Sequence, residues 1–144
     1  MRLPETFVVD ASVGVKLFLD ESGSEEAARM FALLGHEPPH VIAVPDLFFI
    51  ECANVFRSRV HRRLMVADRA REALTILMRL PLQSVSSPEL HLLALDLALT
   101  HGLSVYDATY SALAQRLGAP LVTADRKLAR KLAEGGVAAI SLEA

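Results

Sequence analysis

Asp10, Asp107 and Asp125 could form a chemical site together, because each follows a short run of strand-forming residues. In a chain that alternates strands and helices, the strands lie parallel and their carboxyl ends open on the sheet edge where ligands bind. We therefore expect the three carboxylates to converge. Converging carboxylates repel one another by ~4 kcal/mol per pair at 4 Å and an effective dielectric of 20. A fold gains nothing from such a cluster unless a cation lies among the oxygens.

Glu51 is the fourth acidic candidate. It lies within residues 47–56, a largely apolar stretch of a predicted helix, where a buried and unpaired carboxylate is costly. Two interpretations stay open, because Glu51 could form an ion pair with an arginine or belong to the acidic site. Asn54, one helical turn later on the same face, could hydrogen-bond Glu51 or a metal-bound water.

The polar residues beside the aspartates also have two interpretations each. Ser12 could support the site or cap a helix. Thr123 could orient Asp125 or a phosphate, or it could be an ordinary strand residue. Each aspartate could simply cap the helix that follows it, which is worth ~1 kcal/mol.

An all-oxygen donor set is typical of a site for a hard divalent cation such as Mg²⁺, which prefers carboxylates and keeps several waters. In phosphodiester hydrolysis such ions activate water, align the phosphate and stabilise the leaving oxygen. Other chemistries find little support. Cys52 is the single cysteine, the five histidines lack ligand spacing, and neither a nucleophile elbow nor a glycine-rich phosphate loop is present.

The composition predicts one globular domain over residues 1–144, with 52% hydrophobic and 22% charged residues. The single cysteine and the lack of an apolar leader predict a reducing cytoplasm, and no apolar run is long enough to span a membrane. A net charge of −2 does not indicate a general nucleic-acid binder, so such contacts must be local or pass through metal ions. The candidates for local contacts are the cations after Asp125, namely Arg126, Lys127, Arg130 and Lys131.

Hydrophobic periodicity and turn residues predict alternating helices and strands. Strands are expected over 6–10, 41–44, 82–85, 103–106, 120–123 and 137–141. Helices are expected over 11–19, 25–34, 46–63, 66–80, 87–101, 107–117 and 126–134. This order favours an α/β fold with a central parallel sheet covered by helices on both faces. The third helix is apolar all round its first half, so we expect it to be buried on several sides or to meet a partner chain.

The segments around the four acids resemble the acidic blocks of PIN domains, most closely those of VapC-type toxins. They read VVDASVGVKLF, PDLFFIECANVF and LSVYDATYSALAQRLGAPLVTADRKL, in the family's order over nearly the whole chain. The resemblance implies a three-layer α/β/α fold and an endoribonuclease that depends on Mg²⁺ or Mn²⁺. It also implies a toxin that cleaves RNA, forms a homodimer and is neutralised by a cognate antitoxin. The partner of the third helix would then be a second copy or the antitoxin.

The resemblance assigns roles to the four acids. Asp10 and Asp107 match direct metal ligands, and Asp125 completes the site or holds a second ion. Glu51 matches the residue that positions or deprotonates the attacking water. Leu17 stands where relatives often carry an aromatic residue, and we expect this difference to alter packing rather than chemistry.

Two rival classes of protein fit the sequence less well. A receiver-like Mg²⁺-binding signalling domain would carry paired acids after its first strand, but Ala11 and Ser12 follow Asp10. It would also end a late strand in lysine, where this chain has Thr123. A catalytically silent PIN scaffold would lack one of the four acids, and all four are present. Metal-dependent cleavage of RNA would distinguish the enzyme from both alternatives.

Overall fold

The computed structural model describes residues 2–142, Ser87 by its backbone only, and shows a five-stranded parallel sheet with helices packed against it. The strands are β1 (Thr6–Val9), β2 (Val41–Pro45), β3 (Gln83–Val85), β4 (Leu121–Thr123) and β5 (Ala139–Ser141). The helices are α1 (Ala11–Gly14), α2 (Ser24–Ala32), α3 (Leu47–His61), α4 (Ala67–Arg79), α5 (His91–His101), α6 (Val105–Leu117) and α7 (Arg126–Glu134). None of the helices in this part of the chain is long and apolar enough to cross a membrane.

The strand order is β3-β2-β1-β4-β5, and every neighbouring pair is parallel. The chain runs from β1 through β2 to β3 in one direction and then from β4 to β5 in the other. Right-handed crossovers therefore place α1 to α4 on one face and α5 to α7 on the other. The helix contacts agree, since α3 packs on α1 and α4 while α5 packs on α6. These observations confirm the predicted α/β fold with three layers and a central parallel sheet.

The strand order reverses beside β1, where a parallel α/β sheet forms its ligand crevice. Strands β1 and β4 are neighbours, and Val9 lies opposite Val122. The residues that follow, Asp10 and Thr123, therefore come side by side at the carboxyl edge. The register of two apolar strands thus places one predicted acid against one predicted supporting hydroxyl.

The core forms because strands covered on both faces carry almost only apolar residues. Residues 7–9, 42–44 and 121–122 are fully buried, and so is most of α6 from Ala108 to Ala114. On the other face, Gly14 of α1 lies so close to α3 that a Cβ atom there would stand 2.5 Å from the ring of Phe48. This close approach holds α1, which follows Asp10 directly, against α3, which carries Glu51.

The predicted strand over 103–106 is wrong. Gly102 ends α5 in the left-handed conformation, and the Leu103 amide donates to the Ala98 carbonyl at 3.1 Å. Ser104 then caps α6, accepting a hydrogen bond from the Asp107 amide at 3.1 Å. The residues Val105 and Tyr106 favour strands by composition, but capping places them in the first helical turn. Asp107 therefore lies inside the helix rather than at a strand exit.

Three of the predicted helices are shorter than expected because one end is a 3₁₀ turn. The turns cover Val15–Phe18, Leu33–Gly35 and Ser87–Leu90. These differences leave the order of the remaining elements unchanged.

Candidate active site

The four predicted acids line one cleft of about 520 Å³ at the carboxyl edge of the sheet. Asp10 comes from the end of β1, Glu51 from α3, Asp107 from α6 and Asp125 from the start of α7. The structure also brings Ser12 and Asn54 to this cleft. Side chains from both helical layers therefore meet at the point where the strand order reverses.

Asp10 is buried and its two carboxylate oxygens accept hydrogen bonds from hydroxyl groups. Ser12 donates to Oδ1, and Thr123 donates to Oδ2 at 2.5 Å. Burial raises the pKa of Asp10 from 3.8 to about 6, the two hydroxyls oppose that rise, and the charge of Asp107 adds to it. The hydrogen-bond geometry shows no side-chain cap from Asp10 to α1, although the nearby Val13 amide also opposes the rise of its pKa.

Ser12 and Thr123 also tie the ends of β1 and β4 together. The Ala124 amide donates to Ser12 Oγ at 2.9 Å, and the Asp125 amide donates to Thr123 Oγ1 at 3.1 Å. Ser12 therefore bonds the Asp10 carboxylate and the Ala124 amide rather than capping a helix. Thr123 is fully buried and orients the Asp10 carboxylate together with the Asp125 backbone, so its hydroxyl is not placed to contact a phosphate.

Asp107 is half-buried in the first turn of α6. Burial raises its pKa, the nearby charge of Asp125 raises it further, and the hydrogen bond with Ser104 and the charge of Lys131 oppose the rise. The cap of α6 is Ser104, so the capping interpretation is wrong for Asp107. Its carboxylate is left to face the cleft.

Asp125 caps α7 and lines the cleft at the same time. Its Oδ1 atom accepts from the amides of Lys127 and Leu128 at 3.0 and 3.1 Å. The capping interpretation is therefore confirmed for this aspartate alone. A carboxylate that accepts two amide hydrogens still has lone pairs for another ligand.

Glu51 is half-buried, and its partner is Tyr110 rather than an arginine. The Tyr110 hydroxyl donates to Glu51 Oε1 at 2.5 Å. Burial raises the pKa of Glu51, this hydrogen bond opposes the rise, and the charge of Asp107 adds to it. Tyr110 was not among the predicted site residues. Its position three residues after Asp107 places it on the same helix face as that acid, but does not identify Glu51 as its partner.

The third predicted helix, α3, is covered by its own chain on one side only. Phe48, Cys52 and Phe56 are buried, whereas Ile50 is 70% exposed. Ile50 and Asn54 both lie at the mouth of the acidic cleft. The inner face of α3 is therefore buried, the expectation of burial on several sides is not met, and an apolar side chain remains exposed beside the site.

The donor groups in the cleft fit a hard divalent cation, because they are carboxylates and hydroxyls without sulfur or imidazole. Among residues 2–142, no three acidic, histidine or cysteine side chains stand close enough to form a ready ligand set. Burial and mutual repulsion raise the pKa values of Asp10, Glu51 and Asp107. A cation held among these carboxylates would offset both effects.

Fold and site together define a known class of protein, since the PIN domain family matches residues 7–133 of this chain. The chain belongs to the PIN domain family. Its relatives include Ribonuclease VapC3 of Pyrobaculum aerophilum, which is 39% identical over 126 residues that cover 86% of this chain and 92% of the relative. Ribonuclease VapC12 of Mycobacterium tuberculosis is 32% identical over 124 residues, which cover 85% and 89%.

Solved structures show the same fold. PAE2754 from Pyrobaculum aerophilum aligns with a TM-score of 0.72 and 25% identity, covering 96% of this chain and 84% of that protein. A toxin–antitoxin complex from Klebsiella pneumoniae aligns with a TM-score of 0.62 and 17% identity, covering 94% and 97%. At 17% identity, the similarity to the Klebsiella complex shows a shared fold and nothing more.

Proposed function

We propose that this protein is a metal-dependent endoribonuclease and the toxin of a toxin–antitoxin pair. The observation that carries the proposal is the meeting of Asp10, Glu51, Asp107 and Asp125 in one cleft. Two relatives that are named ribonucleases cover most of the chain, which supports RNA as the substrate. The complete acidic set argues against a silent scaffold.

The residues have separate roles in this proposal. Asp10, Asp107 and Asp125 would hold a divalent cation, Mg²⁺ or Mn²⁺, which would supply charge to align the phosphate and to stabilise the leaving oxygen. Ser12 and Thr123 keep the Asp10 carboxylate in place. Glu51, whose pKa is raised, accepts the proton of the attacking water.

Cations on α7 are suited to hold the RNA backbone. Lys127 and Lys131 line a smaller cleft of about 140 Å³ that also touches Asp107 and Asp125. Lys131 donates to the Gly102 carbonyl at 3.0 Å, so its charge is fixed beside the acids. Ammonium groups at this position would bind the phosphates that flank the cleaved bond. We propose that the protein cleaves RNA in the cytoplasm.

Two protein partners belong to the proposal. A cognate antitoxin would cover the cleft and the exposed Ile50 at its mouth. A second copy would cover α5, on which Leu92 and Leu99 are 81% and 77% exposed and Leu95 lies between them. Apolar side chains at this spacing share one helix face, which is typical of a helix that packs on a neighbour.

Purified protein and total cellular RNA provide the test. We expect new RNA ends in the presence of Mg²⁺, none with excess EDTA, and none with Asp107→Asn. Asp96→Asn is the matched control, because Asp96 is exposed on α5 and does not line the cleft. Cleavage that persists in EDTA and in Asp107→Asn would refute the proposal, and so would wild-type protein that cleaves no RNA.

A further inference from the structure

The buried tyrosine of α6 holds a hydrogen-bond donor against the acid proposed as the base. Tyr110 is 1% exposed, and its hydroxyl donates to Glu51 Oε1 at 2.5 Å. Buried tyrosine hydroxyls require a partner, and a carboxylate is the strongest acceptor available to them. The hydrogen bond joins α6 to α3, which lie on opposite faces of the sheet.

The direction of this hydrogen bond is fixed by chemistry. Burial raises the pKa of Tyr110, and the charge of Glu51 raises it further, so the phenol stays protonated and donates. Glu51 therefore accepts through one oxygen and can receive a water through the other. Without a donor, a half-buried glutamate on an exposed helix face would turn among several rotamers.

From these observations we infer that Tyr110 is a positioning residue, which orients the Glu51 carboxylate in the cleft so that its second oxygen can receive the attacking water. The inference rests on the proposed function, since Glu51 acts there as the base. Tyr110 also lines the cleft, but its hydroxyl is engaged by Glu51. Its effect passes through Glu51 alone.

The decisive variant is Tyr110→Phe, which keeps the ring and removes only the hydroxyl. We expect kcat to fall by ~10-fold or more, the value of one hydrogen bond to a charged group, while KM stays near that of wild type. The substrate is an RNA oligonucleotide that spans a site cleaved by wild type in total RNA. Thr109→Val is the matched control, because Thr109 is a buried neighbour on α6 whose hydroxyl donates to the Val105 carbonyl.

A double-mutant cycle separates positioning from a general structural effect. In a Glu51→Gln background, residual cleavage should be the same with Tyr110 and with Tyr110→Phe, because the group that Tyr110 positions has already lost its function. Equal losses in both backgrounds would overturn the inference. A Tyr110→Phe enzyme with wild-type kcat would do so too, as would a variant that fails to fold.

Cleavage by wild type tests the proposed function, whereas the comparison of Tyr110→Phe with Thr109→Val tests the role of Tyr110. If wild type cleaves no RNA, the proposed function is wrong. If wild type cleaves RNA with metal while Tyr110→Phe and Thr109→Val behave alike, only the role of Tyr110 is wrong.

Discussion

Single side chains in the cleft combine negative charge with burial, which is costly for a carboxylate. Asp10 is the extreme case, since it is buried and both its oxygens accept hydroxyl hydrogens. The hydroxyls lessen the cost without supplying a positive charge. Among the acids, Asp10 and Asp107 therefore give the most direct physical tests of a cation site.

Asp10→Asn should weaken the pH dependence of stability in EDTA. The pKa of Asp10 rises from 3.8 to about 6 on folding, so the folded protein binds more protons than the unfolded chain between these values. Stability then falls as the pH rises through this window, because the carboxylate must ionise in a buried position. The cost at pH above 6 is about 3 kcal/mol by the conversion of pKa to free energy.

Urea unfolding of wild type and Asp10→Asn across this pH range provides the measurement. The variant should be the more stable protein above pH 6 and should lose its advantage below 3.8. The remaining pH dependence of the variant's stability comes from Glu51 and Asp107, whose pKa values are raised as well. Asp96→Asn should follow wild type, and a pH profile shared by all three proteins would contradict the interpretation.

Asp107→Asn should abolish stabilisation by Mg²⁺. The wild type should gain ~2.7 kcal/mol at a hundredfold excess over the dissociation constant, since the ion binds the folded state alone. The metal-free variant should be as stable as wild type, or more so by ~1 kcal/mol, because one repelling charge is gone. Thermal unfolding with EDTA and with Mg²⁺ measures both effects. Equal responses to Mg²⁺ in the two proteins would exclude Asp107 as a ligand.

At the scale of elements, the site depends on how closely helices approach the ends of the strands. Helix α6 is buried from Ala108 to Ala114, so the turn that carries Asp107 is anchored by the core. Helix α1 is short and depends on its contact with α3. Gly14 makes this contact possible, because a side chain there would enter the space of Phe48.

Gly14→Ala should destabilise the protein by ~1–3 kcal/mol, the usual cost of overpacking a core. Phe48 is fully buried and has little room to move, so α1 would shift and carry Ser12 away from Asp10. Cleavage should fall together with the melting temperature. Gly35→Ala is the control, since a Cβ atom at Gly35 meets nothing within 4 Å. Equal melting temperatures for the two variants would show that α1 adapts freely.

At the scale of the whole molecule, the net charge of −2 conceals an uneven distribution. The cleft collects acids, whereas α7 beside it exposes Arg126, Lys127, Arg130 and Lys131. Three of the exposed apolar side chains, Leu92, Leu95 and Leu99, lie together on α5. The proposed function assigns RNA to the charged face and a second copy to the apolar face.

Leu99→Glu should convert the proposed homodimer into a monomer, because it places a charge in the centre of an apolar contact. Met78→Glu is the matched control, since Met78 is an exposed apolar residue on α4. Analytical ultracentrifugation at several concentrations distinguishes the two states. A wild type that remains monomeric at high concentration would refute the dimer, whatever the variants do.

Much of the architecture was determined by the sequence alone. Apolar periodicity and turn residues are local properties, so they predicted the parallel sheet, all five observed strands and seven helical segments. Asp10 and Asp125 could be named in advance because parallel strands share a carboxyl edge. They follow the ends of β1 and β4 as this argument requires. Glu51 stood out as a charge in an apolar helix, and Asp107 was reached through a predicted strand that is helix in the structure.

Only the tertiary structure decided which groups contact one another. The segment before Asp107 became helix because Ser104 caps it, although Val105 and Tyr106 favour strands by composition. Partners of the acids come from distant parts of the chain, as Tyr110 lies 59 positions from Glu51 and Thr123 lies 113 positions from Asp10. Hydrogen bonds of this kind depend on strand register and on helix packing across the sheet edge. The sequence pattern specifies neither the strand register nor the helix packing. The donor to Glu51 could therefore be identified only in the folded structure.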